Sequence, residues 1–109
     1  MSDVPVETPV LDLLATMTAA SVEASGLDPQ TLMLVRIAAL VAVDAPPSSY
    51  LLNLGAATEM GVDGERVRDV LAAVAPTVGT ARVASAVGNV VRALGLAELA
   101  AEQQLAEST

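Results

Sequence analysis

The feature that most constrains this chain is its punctuation. Thr8-Pro9, Asp28-Pro29, Pro46-Pro47, Asp63-Gly64 and Gly79-Thr80 each set a helix-starting or helix-breaking signal ahead of an apolar stretch. A Thr or Asp at the N-cap can accept from a free backbone N–H, and proline at the first helical position gives up no hydrogen bond. Gly26 and Gly61 fall where the helices before them should close. These signals predict helices from Thr8 to about Ser25, from Asp28 to about Val43 and from Pro47 to Met60. A fourth is predicted from Asp63 to a stop at Pro76, a fifth from Thr80 to Gly95, and a sixth from Leu96, with fraying after Leu105. Val67, Val70, Leu71 and Val74 lie at i, i+3, i+4 and i+7, one face of a helix, and Val83, Val87, Val90, Val91 and Leu94 make a second stripe. No segment alternates apolar and polar residues, so the local strand preference of valine is overridden. The expected fold is all-α, about six helices in a single domain over 1–109, with 1–8 and 106–109 flexible.

The helices are built from small residues. The chain is 53% hydrophobic before glycine is counted, against roughly 45–50% with glycine in an average soluble domain. It has no Phe or Trp, and Tyr50 is its one aromatic residue. Ala- and Val-lined helices approach closely but bury little area per contact. Surplus apolar surface of this kind points to coverage by other subunits, although compositional drift towards Ala and Val gives the same signature. The formal net charge is −8, with five arginines and neither lysine nor histidine. Such a surface repels nucleic acid and anionic lipid, whose binding depends on Lys and Arg neutralising phosphates. The start "MSDVPVETP" lacks a positive n-region. The apolar run "LMLVRIAALVAV" at 32–43 is shorter than the ~20 residues of a membrane span and reads as a central core helix. A cytoplasmic protein without nucleic-acid or membrane partners is expected.

The missing residue types also narrow the chemistry. Without Cys there is no thiol or disulfide chemistry, and without His or Lys no Ser-His-Asp triad, Ser-Lys pair or Schiff base. A His/Cys zinc site, a calcium loop and a P-loop are all unsupported, so neither metal nor cofactor is expected. Acid–base work by Asp, Glu, Tyr or Arg remains, or no chemistry at all.

Residues 27–94 resemble the carboxymuconolactone decarboxylase / alkylhydroperoxidase D-like family, small all-helical proteins that assemble as trimers or hexamers. The resemblance rests on the buried apolar helix, the break after it, and a helix ending in Ala57-x-x-x-Gly61. "GVDGERVRDVL" and "PTVGTARVASA" follow in matching order. The peroxidase branch carries Cys-x-x-Cys, then a His eight residues before the closing glycine. Counted from Gly61, its cysteines map to Pro46 and Ser49, its His to Asn53, and its acidic relay residue to Leu34. The decarboxylase branch keeps the His, again Asn53, and a Tyr that maps to Thr77. The resemblance therefore implies an alkylhydroperoxidase D-like helical bundle, homo-oligomeric, whose inherited site is degenerate and cannot act as a thiol peroxidase.

Four residues remain as candidates for binding a small apolar or carboxylate ligand: Arg36, Tyr50, Asn53 and Glu59. Arg36 lies in the most apolar helix, where a buried guanidinium needs a partner such as Asp44, Glu59 or an acid of another subunit. Asn53 either bonds backbone or a neighbouring helix, or orients a ligand. Tyr50 is expected as a core or interface filler with a satisfied hydroxyl. Arg82 and Arg92 are expected to be solvated, and Glu65, Arg66, Arg68 and Asp69 to form an ordinary charged face. Two roles stay open: a non-catalytic structural, interaction or ligand-binding oligomer, and an enzyme using non-thiol acid–base chemistry on a small organic acid or lactone.

Overall fold

The computed structural model describes residues 8–108, and all regular structure among them is helical. Five helices follow one another: α1 (Pro9–Ala24), α2 (Pro29–Ala42), α3 (Pro47–Glu59), α4 (Gly64–Val78) and α5 (Thr80–Ser108). The capping residues act largely as their sequence positions predict. Asp28 accepts from the Thr31 backbone N–H at 3.1 Å and from its hydroxyl at 2.6 Å, and Asp63 accepts from the Arg66 N–H at 2.9 Å. Thr8 sits at the N-cap of α1, but its hydroxyl turns to Asp12 Oδ1 instead of the backbone. Gly61 and Gly79 hold φ of +87° and +92°, the left-handed turns that close α3 and α4.

Two predicted breaks are absent. Pro76 lies inside α4, which continues to Val78. The proline removes the donor for the Ala72 carbonyl, yet both residues are exposed, so water can replace the lost bond. Gly95 does not end a helix either: the predicted fifth and sixth helices are the single 29-residue α5. Glycine weakens a helix interior by about 1 kcal/mol without breaking it, and the flanking Ala, Leu, Glu and Gln residues favour continuation. The helix also carries 106–108, which were expected to be flexible. Residues 1–7 and 109 lie outside the described residues.

α2 is the central element, packed against α3, α4 and α5. Its Met33 and Ile37 join Ala57, Val62 and Val67 in one core cluster, with Leu34 and Leu54 against it. Val41, Ala45, Tyr50, Ala86 and Ala93 form a second, and Leu54 and Val90 border it. Tyr50 is the bulkiest wholly buried side chain.

A polar stripe on α5 fixes the corner between α2 and α3. Arg82, Ser85, Asn89 and Arg92 recur at i, i+3, i+7 and i+10, within about 80° of one helix face. Arg82 Nη1 donates to the Ala42 carbonyl at 2.8 Å, the Ser85 hydroxyl to Asp44 Oδ1 at 2.6 Å, and Asn89 Nδ2 to the Ala45 carbonyl at 3.1 Å. Arg92 Nη1 in turn donates to Asn89 Oδ1 at 3.2 Å. Arg82 and Arg92, expected to be solvated, are exposed, and each also donates a hydrogen bond to the bundle. The corner includes Asp44 at φ +54°, a left-handed conformation that Asp tolerates better than most residues.

Two regions stay uncovered. α1 buries none of its residues, and Val10, Leu11, Leu13, Leu14, Met17 and Val22 are all exposed. The distal half of α5 is the other, with Leu94, Leu96, Leu99 and Leu105 in solvent. Thr80–Glu107 is long and apolar enough to cross a membrane by length and composition alone. The molecule measures 53 × 36 × 26 Å, and its radius of gyration of 16.1 Å exceeds the ~13 Å of a compact chain this long.

Candidate functional site

An open cleft of about 480 Å³ lies between α1, α2 and α3. α1 contributes Leu14, Met17, Thr18 and Ser21, a mixed apolar and hydroxyl wall. α2 contributes Met33 and Arg36, and α3 contributes Leu52, Asn53 and Ala56. The α2 and α3 residues converge because Met33 and Arg36 share one helical face, as do Leu52, Asn53 and Ala56.

Arg36 and Asn53 are therefore brought together as sequence-predicted candidates. Arg36 is half-buried, and its Nη2 donates to the Thr18 carbonyl at 3.3 Å, tethering α1 to α2. The expected ion pair is absent. Among the described residues no carboxylate lies within ion-pair distance of Arg36, and the only such pairs join exposed Arg68 to Glu65 and Asp69. Asp44 turns instead to Ser85. Asn53 bonds backbone, its Nδ2 donating to the Ser49 carbonyl at 2.9 Å, while the side chain still borders the cleft.

The other two candidates lie elsewhere. Tyr50 faces the second core cluster, and its hydroxyl, expected to be satisfied, is buried without a hydrogen-bond partner. Burial first, and the Asp44 carboxylate second, push the phenol above its ordinary pKa. Glu59 is exposed at the end of α3 and outside the cleft. Leu34 packs against the first core cluster, Pro46 is the exposed N-cap of α3, and Ser49 is half-buried. Asn89, a buried amide side chain, was not singled out from the sequence. Its signal was the i, i+3, i+7 recurrence of Arg82, Ser85 and Asn89 through a valine stripe. No group of three carboxylates is placed to hold a metal among the described residues.

A model of the carboxymuconolactone decarboxylase family matches residues 8–92. The chain belongs to that family. No match was found among curated proteins or solved structures. The family match takes in α1, which the sequence resemblance over 27–94 left out, and so covers all three walls of the cleft. In this carboxymuconolactone decarboxylase family member, Pro46, Ser49 and Asn53, which the sequence resemblance pairs with cysteine and histidine positions, lie at the start and along the first turns of α3. Asn53 is the one of them that reaches the cleft.

Proposed function

We propose that this family member is a non-catalytic helical homo-oligomer with a structural or small-ligand-binding role. The observation that carries the first half is the make-up of the cleft: among the described residues its one ionisable side chain is Arg36. A guanidinium neither gives up nor takes a proton in the physiological range, and hydroxyl and amide groups without a base are poor nucleophiles. Tyr50 and Glu59, on which an acid–base enzyme would have relied, do not border the cleft.

Self-association is supported by surface area. The chain exposes 7610 Å², against about 5,600 Å² for a compact monomer of its mass. The surplus, about 2,000 Å² per chain, is the scale that obligate assemblies bury. We assign it to further copies of this chain seated on α1 and the distal half of α5. Arg92, Glu98, Glu102 and Glu107 interrupt α5 in a chain without lysine, which favours a protein partner over lipid. Family resemblance suggests a trimer or hexamer.

Multi-angle light scattering at micromolar concentration is expected to return a multiple of 11.0 kDa; a monomer would overturn the assembly. Insertion of α5 into anionic or zwitterionic vesicles would reassign the apolar surface to a membrane. Assays for hydroperoxide reduction and for carboxymuconolactone decarboxylation are expected to be blank. Turnover abolished by Asn53→Ala would restore the enzyme.

A further inference from the structure

We propose that the cleft between α1, α2 and α3 binds a singly charged organic carboxylate with an apolar body, its headgroup seated at Arg36 and Asn53. The inference rests on the ligand-binding role proposed above and names the chemistry of the ligand.

Arg36 carries the argument. The chain has 13 acidic residues and five arginines, yet among the described residues no acid lies within ion-pair distance of this half-buried arginine. Among the described residues its one hydrogen bond is the 3.3 Å bond to the Thr18 carbonyl, which uses one of five N–H donors. A partly desolvated cation with unused donors gains most from an incoming anion, and a carboxylate matches the planar fork of the guanidinium in two parallel bonds. Asn53 commits one amide hydrogen to Ser49 and keeps a second donor at the same cleft. Thr18 and Ser21 line the same cleft from α1.

The remaining wall calls for an apolar body. Leu14, Met17 and Leu52 each expose half or more of their surface beside the cleft, while Met33 is buried at 2% exposure. A volume of about 480 Å³ falls in the ~300–1,000 Å³ range of small-molecule sites. The charge is limited to one. The cleft offers a single cation within a chain of net charge −8, so a second carboxylate would enter unpaired against repulsion. Because α1 buries nothing elsewhere, a ligand touching Thr18 on one side and Asn53 on the other would also clamp α1 to the bundle.

The test is isothermal titration with octanoate, octan-1-ol and octanedioate against the intact protein. Octanoate is expected to bind saturably and at least about tenfold tighter than the alcohol or the diacid, one charge-assisted pair being worth about that factor. Arg36→Gln should abolish the preference for octanoate over octan-1-ol, and Arg36→Lys should restore part of it. Octanoate and octan-1-ol binding equally well to the wild-type chain would overturn the proposal, whether or not the Gln variant folds. So would tight octanoate binding that survives Arg36→Gln with unchanged circular dichroism. Absent octanoate binding by a blank but oligomeric protein would sink the ligand class alone. A monomer, or measurable turnover, would instead strike at the function on which it rests.

Discussion

Replacing Tyr50 by Phe should stabilise this protein. The ring is wholly buried, and its hydroxyl has no hydrogen-bond partner. A buried polar group left unpaired costs about 1–3 kcal/mol, while Phe keeps the ring contacts and removes the orphan oxygen. Taking the lower part of that range, the gain is ~1–2 kcal/mol. Unfolding entropy of about 2.1 cal/mol/K per residue over 109 residues comes to ~0.23 kcal/mol/K, so Tm should rise by ~4–9 °C. The assay is thermal unfolding followed by circular dichroism at one fixed protein concentration, since assembly makes Tm depend on concentration.

The same pair of proteins should diverge in alkali. Burial, with Asp44 adding to it, raises the folded-state pKa of Tyr50 above its unfolded value of about 10. Below that pH both states hold the proton and the group has no effect on pH dependence. Above it the unfolded chain releases the proton while the folded chain retains it, so wild-type stability falls as pH climbs. Phe carries no such proton, so the gap should widen above about pH 10. With one tyrosine and no lysine or cysteine in the chain, little else titrates there. A Tyr50→Phe protein that melts lower than wild type, with no alkaline divergence, would refute the orphaned hydroxyl.

Other changes probe the remaining elements. Asn89→Ala strips the donor from the buried Ala45 carbonyl and the acceptor from Arg92, and should lower unfolding free energy by about 1–3 kcal/mol in urea titration. Gly95→Ala should raise the unfolding free energy from urea titration by up to about 1 kcal/mol, because the position is mid-helix and a Cβ there meets nothing within 4 Å; a loss would point to a helix break at that glycine. Gly79→Ala has equal space but a φ of +92°, so the same measurement should show a loss of about 1 kcal/mol or more. Leu11→Glu combined with Leu99→Glu, both at exposed positions, should reduce the light-scattering mass to that of a monomer with helicity retained.

What the sequence disclosed followed from local chemistry. Asp28 and Asp63 announced helix starts through side-chain acceptors, and Gly61 announced a turn that a positive φ closes. These signals act over three or four residues, so they can be read along the chain. Pro76 and Gly95 misled because the same residue type breaks a helix or merely weakens it, according to exposure and flanking residues. The candidate site was half legible. Arg36 and Asn53 stood out as polar residues in apolar helices, and they meet at one cleft. Which acid would pair Arg36 depended on the packing of α1, α2 and α3, and the answer, none among the described residues, has no trace in the residues near it in sequence. Tyr50 and Asn89 were settled by partners, or their absence, across the bundle. No periodicity reports whether a distant carbonyl comes within 3 Å.

The stripe on α5 also has a consequence for how the molecule opens. Two of its three anchors on the α2–α3 corner are main-chain carbonyls, and the third is the side chain of the left-handed Asp44. The corner therefore cannot separate from α5 without exposing Ala45 and Tyr50 together, and these two regions, far apart in sequence, should exchange their amide hydrogens as one cooperative unit. Within one subunit α1 has no buried residue and, among the described residues, one side-chain hydrogen bond to the bundle, so it should part from the bundle more readily wherever a neighbouring copy does not hold it. The protein thus joins a slow body that keeps its geometry to a fast outer helix, and the cleft lies along the seam between them.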